Sequence, residues 1–68
     1  MKNIPENKKT VRELRARKGL TQIEAAKALG ITDTTYAKWE SNTSGLTIAK
    51  VRKLADLYGV TLDDIFLP

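Results

Sequence analysis

Residues 21–42 of the chain read TQIEAAKALGITDTTYAKWESN. Thr21 with Glu24 has the form of a capping box, in which hydroxyl and carboxylate each accept from the other residue's backbone N–H. A helix is therefore expected to begin with Thr21 as its cap. Ala25, Ala26 and Leu29 give it a small, apolar face, and Gly30 can take the left-handed conformation that closes it. Thr32 stands where it would cap a second helix opening on Asp33, Thr34 and Thr35. Two helices joined so tightly form a helix-turn-helix.

At about 100° per residue, Tyr36 and Trp39 share one side of the second helix, residues 33–41, and are expected to face inward. Thr34, Ala37, Lys38 and Ser41 stand opposite, with Asp33 on the flank. Solvated faces more often carry Glu, Lys, Arg and Gln, which form helices better. A face of short polar side chains suits close approach to another surface. The edges of bases in a DNA major groove, read at short range by hydroxyls and carboxylates, fit that description.

The run RARKGLTQIEAAKALGITDTTYAKWESN closely resembles the helix-turn-helix of the phage-repressor and Cro-like family, the xenobiotic-response-element type. The resemblance rests on Leu14-Arg15, Gly19-Leu20-Thr21-Gln22, Ala26, Leu29-Gly30-Ile31 and Trp39-Glu40, then Leu54-Ala55 and Gly59-Val60, and it extends over residues 10–67. It implies an all-α, compact five-helix lambda-repressor-like DNA-binding domain. It also implies an ion pair between Arg15 and Glu40, and a loop, residues 42–45, running beside DNA phosphates. Ala25 stands where relatives usually carry Leu, Tyr36 where they carry an aliphatic residue, and Leu46 where Pro is common.

Composition narrows the function classes. Sixty-eight residues suffice for one small domain. Cysteine and histidine are both absent, which removes disulfides, thiolate metal sites, the usual general base and the commonest metal ligand. No apolar run approaches the roughly 20 residues a membrane span requires, so a cytoplasmic protein without membrane association is expected. The net charge is +4, and residues 1–20 hold seven Lys or Arg against two Glu. That block suits a polyanion, although it equally describes a solvated helix face.

Taken in order, residues 1–9 are polar, contain Pro5 and show no periodicity, as in a flexible arm. Residues 10–68 form the helix-turn-helix domain. Thr10 with Glu13 reads as another capping box, opening a first helix that ends at Gly19, with Val11 and Leu14 facing inward. Thr21 and Gln22, at a helix start rich in free N–H groups, are candidates for DNA phosphate. In the loop, Asn42 takes the place where the family usually has Gly, as the next-best residue at positive φ. Ser41, Asn42, Thr43, Ser44 and Gly45 are further phosphate candidates, holding the backbone without reading sequence. Thr47 is expected to cap a fourth helix with Ile48, Val51, Leu54, Ala55 and Tyr58 inward. Thr61 with Asp64 is expected to open a short fifth, carrying Leu62, Ile65 and Phe66. Asp63 and Asp64 are explained by that helix start.

The base-contacting candidates are Asp33, Thr34, Ala37 and Lys38. Asp33 either completes the helix start or accepts from cytosine N4; Thr34 meets a thymine methyl or a base edge; Lys38 suits guanine O6 and N7; Ala37 admits close approach. The apolar end Ile65, Phe66 and Leu67 is the candidate dimer contact. The expected function is sequence-specific binding of double-stranded DNA by a homodimer that regulates transcription, as a repressor, from a palindromic operator. The alternative is an antitoxin or small interaction module that engages a protein partner and binds DNA secondarily. Neither a cofactor nor catalysis is expected, since no nucleophile–base or ligand set is present.

Overall fold

In the computed structural model, which describes residues 8–67, the chain is a bundle of four α-helices and two 3-10 turns. The helices are α1 (Val11–Lys18), α2 (Gln22–Leu29), α3 (Asp33–Ser41) and α4 (Ile48–Tyr58). One 3-10 turn, Thr43–Gly45, joins α3 to α4, and the other, Leu62–Asp64, follows α4. Among the described residues no helix is long and apolar enough to cross a membrane.

Threonines open all four helices. Thr10, Thr21, Thr32 and Thr47 each accept a hydrogen bond from the backbone N–H three residues on. At Thr21 the box is reciprocal: the Glu24 carboxylate accepts from Thr21 N at 2.8 Å, and Glu24 N donates back to the Thr21 hydroxyl at 3.1 Å. At Thr10 only half of the expected box exists, because Glu13 turns to Arg17 one helical turn on, at 3.0 Å. Gly30 closes α2 at φ +72°, a conformation costly for a residue with a Cβ. Its N–H and that of Ile31 bond back to Lys27 O and Ala26 O, which reverses the chain toward α3.

The core collects Val11 and Leu14 of α1, Ala25 and Ala26 of α2, Tyr36 and Trp39 of α3, Val51, Leu54 and Ala55 of α4, and Ile65. Ala25 is fully buried without a larger side chain, in the same cluster as the two rings of α3. Ile48, expected inward, is 63% exposed. As the first residue of α4 it precedes the turn that enters the core.

The fifth helix is replaced by the single 3-10 turn Leu62–Asp64 and an extended tail. After that turn Ile65 adopts φ −94°, ψ 126° and forms a parallel bridge with Lys9. Lys9 N donates to Asp64 O at 2.9 Å and Phe66 N donates to Lys9 O at 2.8 Å. The groups that would have propagated a helix are thus bonded to another segment. Lys8 Nζ also donates to Asp63 O, so Lys8 and Lys9 are anchored; the rest of the expected arm, residues 1–7, lies outside the described residues.

The bridge reverses one expectation about the surface. Ile65, expected in a dimer contact, is 1% exposed and belongs to the core. Phe66 is half-buried, and only Leu67 of that trio stands out, at 46%.

Candidate nucleic-acid interface

Burying Tyr36 and Trp39 fixes the rotation of α3 about its axis. Tyr36 has no exposed surface, and its hydroxyl hydrogen-bonds that of Tyr58 on α4. Burial first, then the bond to Tyr58, holds the Tyr36 phenol far above its ordinary range. The hydroxyl is therefore turned away from the outer face and from any phosphate there. Thr43 Oγ1 bonds the Trp39 carbonyl at 3.1 Å, and the Lys50 ammonium lies 5.7 Å from the Trp39 ring centroid.

With α3 anchored on that side, Asp33, Thr34, Lys38 and Ser41 are exposed and Ala37 is half-buried. Asp33 Oδ1 accepts from Thr34 N at 2.9 Å, so part of this carboxylate already serves the helix start. Thr35 is engaged structurally, its N–H on Thr32 Oγ1 and its hydroxyl 2.8 Å from the same atom.

The start of α2 meets the start of α3 across an open groove of about 720 Å³, lined in part by Thr21, Gln22, Asp33, Thr34 and Ala37. Gln22 is half-buried, and its side-chain amide donates to Glu40 Oε1 at 3.4 Å. Thr21 N–H donates to the Glu24 carboxylate, while the Thr21 hydroxyl accepts from Glu24 N and keeps its own proton to donate, so a phosphate here would meet that hydroxyl, the first-turn amides of α2 and Gln22.

Beneath the groove, Arg15 Nε donates to Glu40 Oε2 at 2.9 Å and Nη2 to Oε1 at 3.2 Å. The third nitrogen, Nη1, donates to Leu20 O at 2.9 Å. Burial works against a charge on Glu40, yet the Arg15 hydrogen bonds and positive charge outweigh it and hold the carboxyl below its usual range. The pair ties α1 to the end of α3.

In the loop, Asn42, Ser44 and Gly45 are exposed, whereas Thr43 is 3% exposed. The Thr43 hydroxyl donates to the carbonyls of Trp39 and Glu40, so its side chain is withdrawn from the phosphate set. Asn42 does not take positive φ; it sits at φ −139°, ψ 63°. Thr43 satisfies the last carbonyls of α3, so no left-handed residue is needed there. Two supporting residues had no signal in the sequence as partners of α3: Tyr58 and Lys50 lie on another helix, and only packing brings them in.

An α-helix whose outer face is short and polar, anchored by two rings and preceded by a tight turn from a second helix, has the form of the second helix of a helix-turn-helix. Residues 11–65 match the helix-turn-helix family. The chain belongs to the Cro- and repressor-like branch of that family. It is also similar to the cryptic phage CTXphi transcriptional repressor RstR of Vibrio cholerae, with 34% identity over 55 residues. That alignment takes in 81% of this chain and 50% of RstR, so the chain spans half the length of this relative. No solved structure gives a significant match. Membership makes this helix-turn-helix chain a DNA-binding domain of the kind used in transcription regulation.

Proposed function

We propose that this domain is a transcriptional repressor that binds a palindromic operator as a homodimer, with α3 of each copy in the major groove. The observation that carries the reading is the two-sidedness of α3: Tyr36 and Trp39 are buried while Asp33, Thr34 and Lys38 project outward. In this reading Lys38 donates to guanine, Thr34 meets a base edge or thymine methyl, Asp33 discriminates through cytosine N4, and Ala37 permits close approach. Gln22, Ser41, Asn42, Ser44 and Gly45 hold the phosphates on either side, which sets register without reading sequence. Two copies would read half-sites about 10 bp apart centre to centre. Phe66 and Leu67 supply apolar surface for the dimer, and repression follows from occupying a site that polymerase needs. The similarity to RstR, named a transcriptional repressor, supports the sign of regulation.

Selection of binding sites from random duplex DNA tests the reading. A palindromic consensus bound by two copies is the expected product. Absence of enrichment, or an asymmetric site bound by one copy, would overturn sequence-specific binding or the homodimer respectively.

A further inference from the structure

Helix α1 carries three arginines, and two are committed internally. Arg15 pairs with Glu40, and Arg17 pairs with Glu13 at 3.0 Å. Arg12 is exposed and has no carboxylate partner among the described residues. It lines a cleft with Gln22, Ala37, Glu40 and Ser41, on the flank of α3 that bears the outward face. The acidic member of this cleft, Glu40, would repel an anion if it were bare. Instead Arg15 matches its charge at 2.9 Å and Gln22 donates to its other oxygen. An anion entering the cleft therefore meets a compensated carboxylate and the guanidinium of Arg12, which has no carboxylate partner among the described residues, while the Ser41 hydroxyl donates to Lys38 O at 3.1 Å.

We propose that Arg12 is a DNA phosphate anchor, holding one backbone phosphate over this cleft from α1. The inference rests on the DNA-binding reading and adds an element to it, since the other anchors lie on α2, α3 and the following loop. A planar guanidinium suits two phosphate oxygens at once, and the contact fixes the position of α3 without reading bases. Arg15 thereby has an indirect part: by matching Glu40 it leaves the charge of Arg12 available to the nucleic acid.

Affinity of the full chain for its selected operator and for a shuffled duplex is measured across a salt series. Arg12→Gln, Arg12→Lys and Arg17→Gln are compared, with melting temperatures recorded for each. Arg12→Gln is expected to weaken both duplexes by the same factor and to make the log–log salt slope shallower by about 0.9. Arg12→Lys should retain most of the slope, and Arg17→Gln, which removes the same charge outside the cleft, should leave it nearly unchanged. Replacing single phosphates by methylphosphonates should then reveal one position per half-site that matters to the wild type and not to Arg12→Gln. Equal slopes for Arg12→Gln and Arg17→Gln, or no such phosphate, would overturn the proposal while leaving the DNA reading standing. A wild type with no salt-dependent affinity for either duplex would overturn both.

Discussion

The hydroxyl of Tyr36 on α3 is hydrogen-bonded to the hydroxyl of Tyr58 on α4, beneath the face that carries Thr34 and Lys38. The two residues are 22 positions apart in sequence, and their bond ties α3 to α4. Burial raises both phenols above their ordinary range, so both stay protonated and able to share the bond.

Removing the Tyr58 hydroxyl takes this bond from the hydroxyl of Tyr36, a residue with no exposed surface. Tyr58→Phe is therefore expected to cost about 1–3 kcal/mol, read from chemical denaturation. The double change Tyr36→Phe with Tyr58→Phe should recover much of that loss, because neither polar group is then orphaned. A double variant as unstable as the sum of the singles would refute the shared bond.

Glu40→Gln leaves Arg15 without its counter-charge in a site where the two side chains are 17% and 8% exposed. A loss of about 3 kcal/mol at neutral pH is expected. The folded Glu40 carboxyl lies below its ordinary value, so its stabilisation is complete above the unfolded value of about 4.3 and drains away as pH falls through the folded one. Denaturation curves at pH 7 and pH 3 should accordingly show a smaller acid sensitivity in Glu40→Gln than in the wild type.

Lys38→Ala tests base reading. If Lys38 donates to a guanine, the variant loses about 1–3 kcal/mol of discrimination at one operator position and little elsewhere. Uniform weakening across all sequences would instead make Lys38 a phosphate contact. Competition binding with single-base operator variants separates the two outcomes.

Thr43→Val keeps the shape of the side chain but removes the hydroxyl that caps Trp39 O and Glu40 O. A stability loss of about 1 kcal/mol is expected, with DNA affinity at saturating folding conditions unchanged. A selective fall in affinity would return Thr43 to the phosphate contacts.

Much of this architecture was readable along the chain, because capping and helix termination act over three or four residues. The cap–Gly pattern from Thr21 to Gly30 and the cap at Thr32 place α2 and α3 without reference to anything distant. Tyr36 and Trp39 marked the buried side of α3 by spacing alone. The reading of the chain's end changed because of a remote partner, whereas that of Thr43 changed because of carbonyls only three and four residues away. Ile65 and Phe66 read as part of a helix, but Lys9 bonds the Asp64 carbonyl and the Phe66 N–H on either side of Ile65. Thr43 read as a phosphate ligand until the end of α3 proved to need its hydroxyl.

What the amino-acid order determined by itself was the four α-helices from α1 to α4, though not the fate of the segment after them, together with the tight turn between α2 and α3 and the outward position of Thr34 and Lys38. Each follows from hydrogen bonds and side-chain spacing within one or two helical turns. Tertiary packing alone decided that Tyr58 holds Tyr36, that Ile65 fills the core, and that Arg12 faces a cleft beside Ser41. Those outcomes require segments far apart in sequence to compete for the same buried volume and the same unpaired polar groups, and local pattern carries no information about which of them wins.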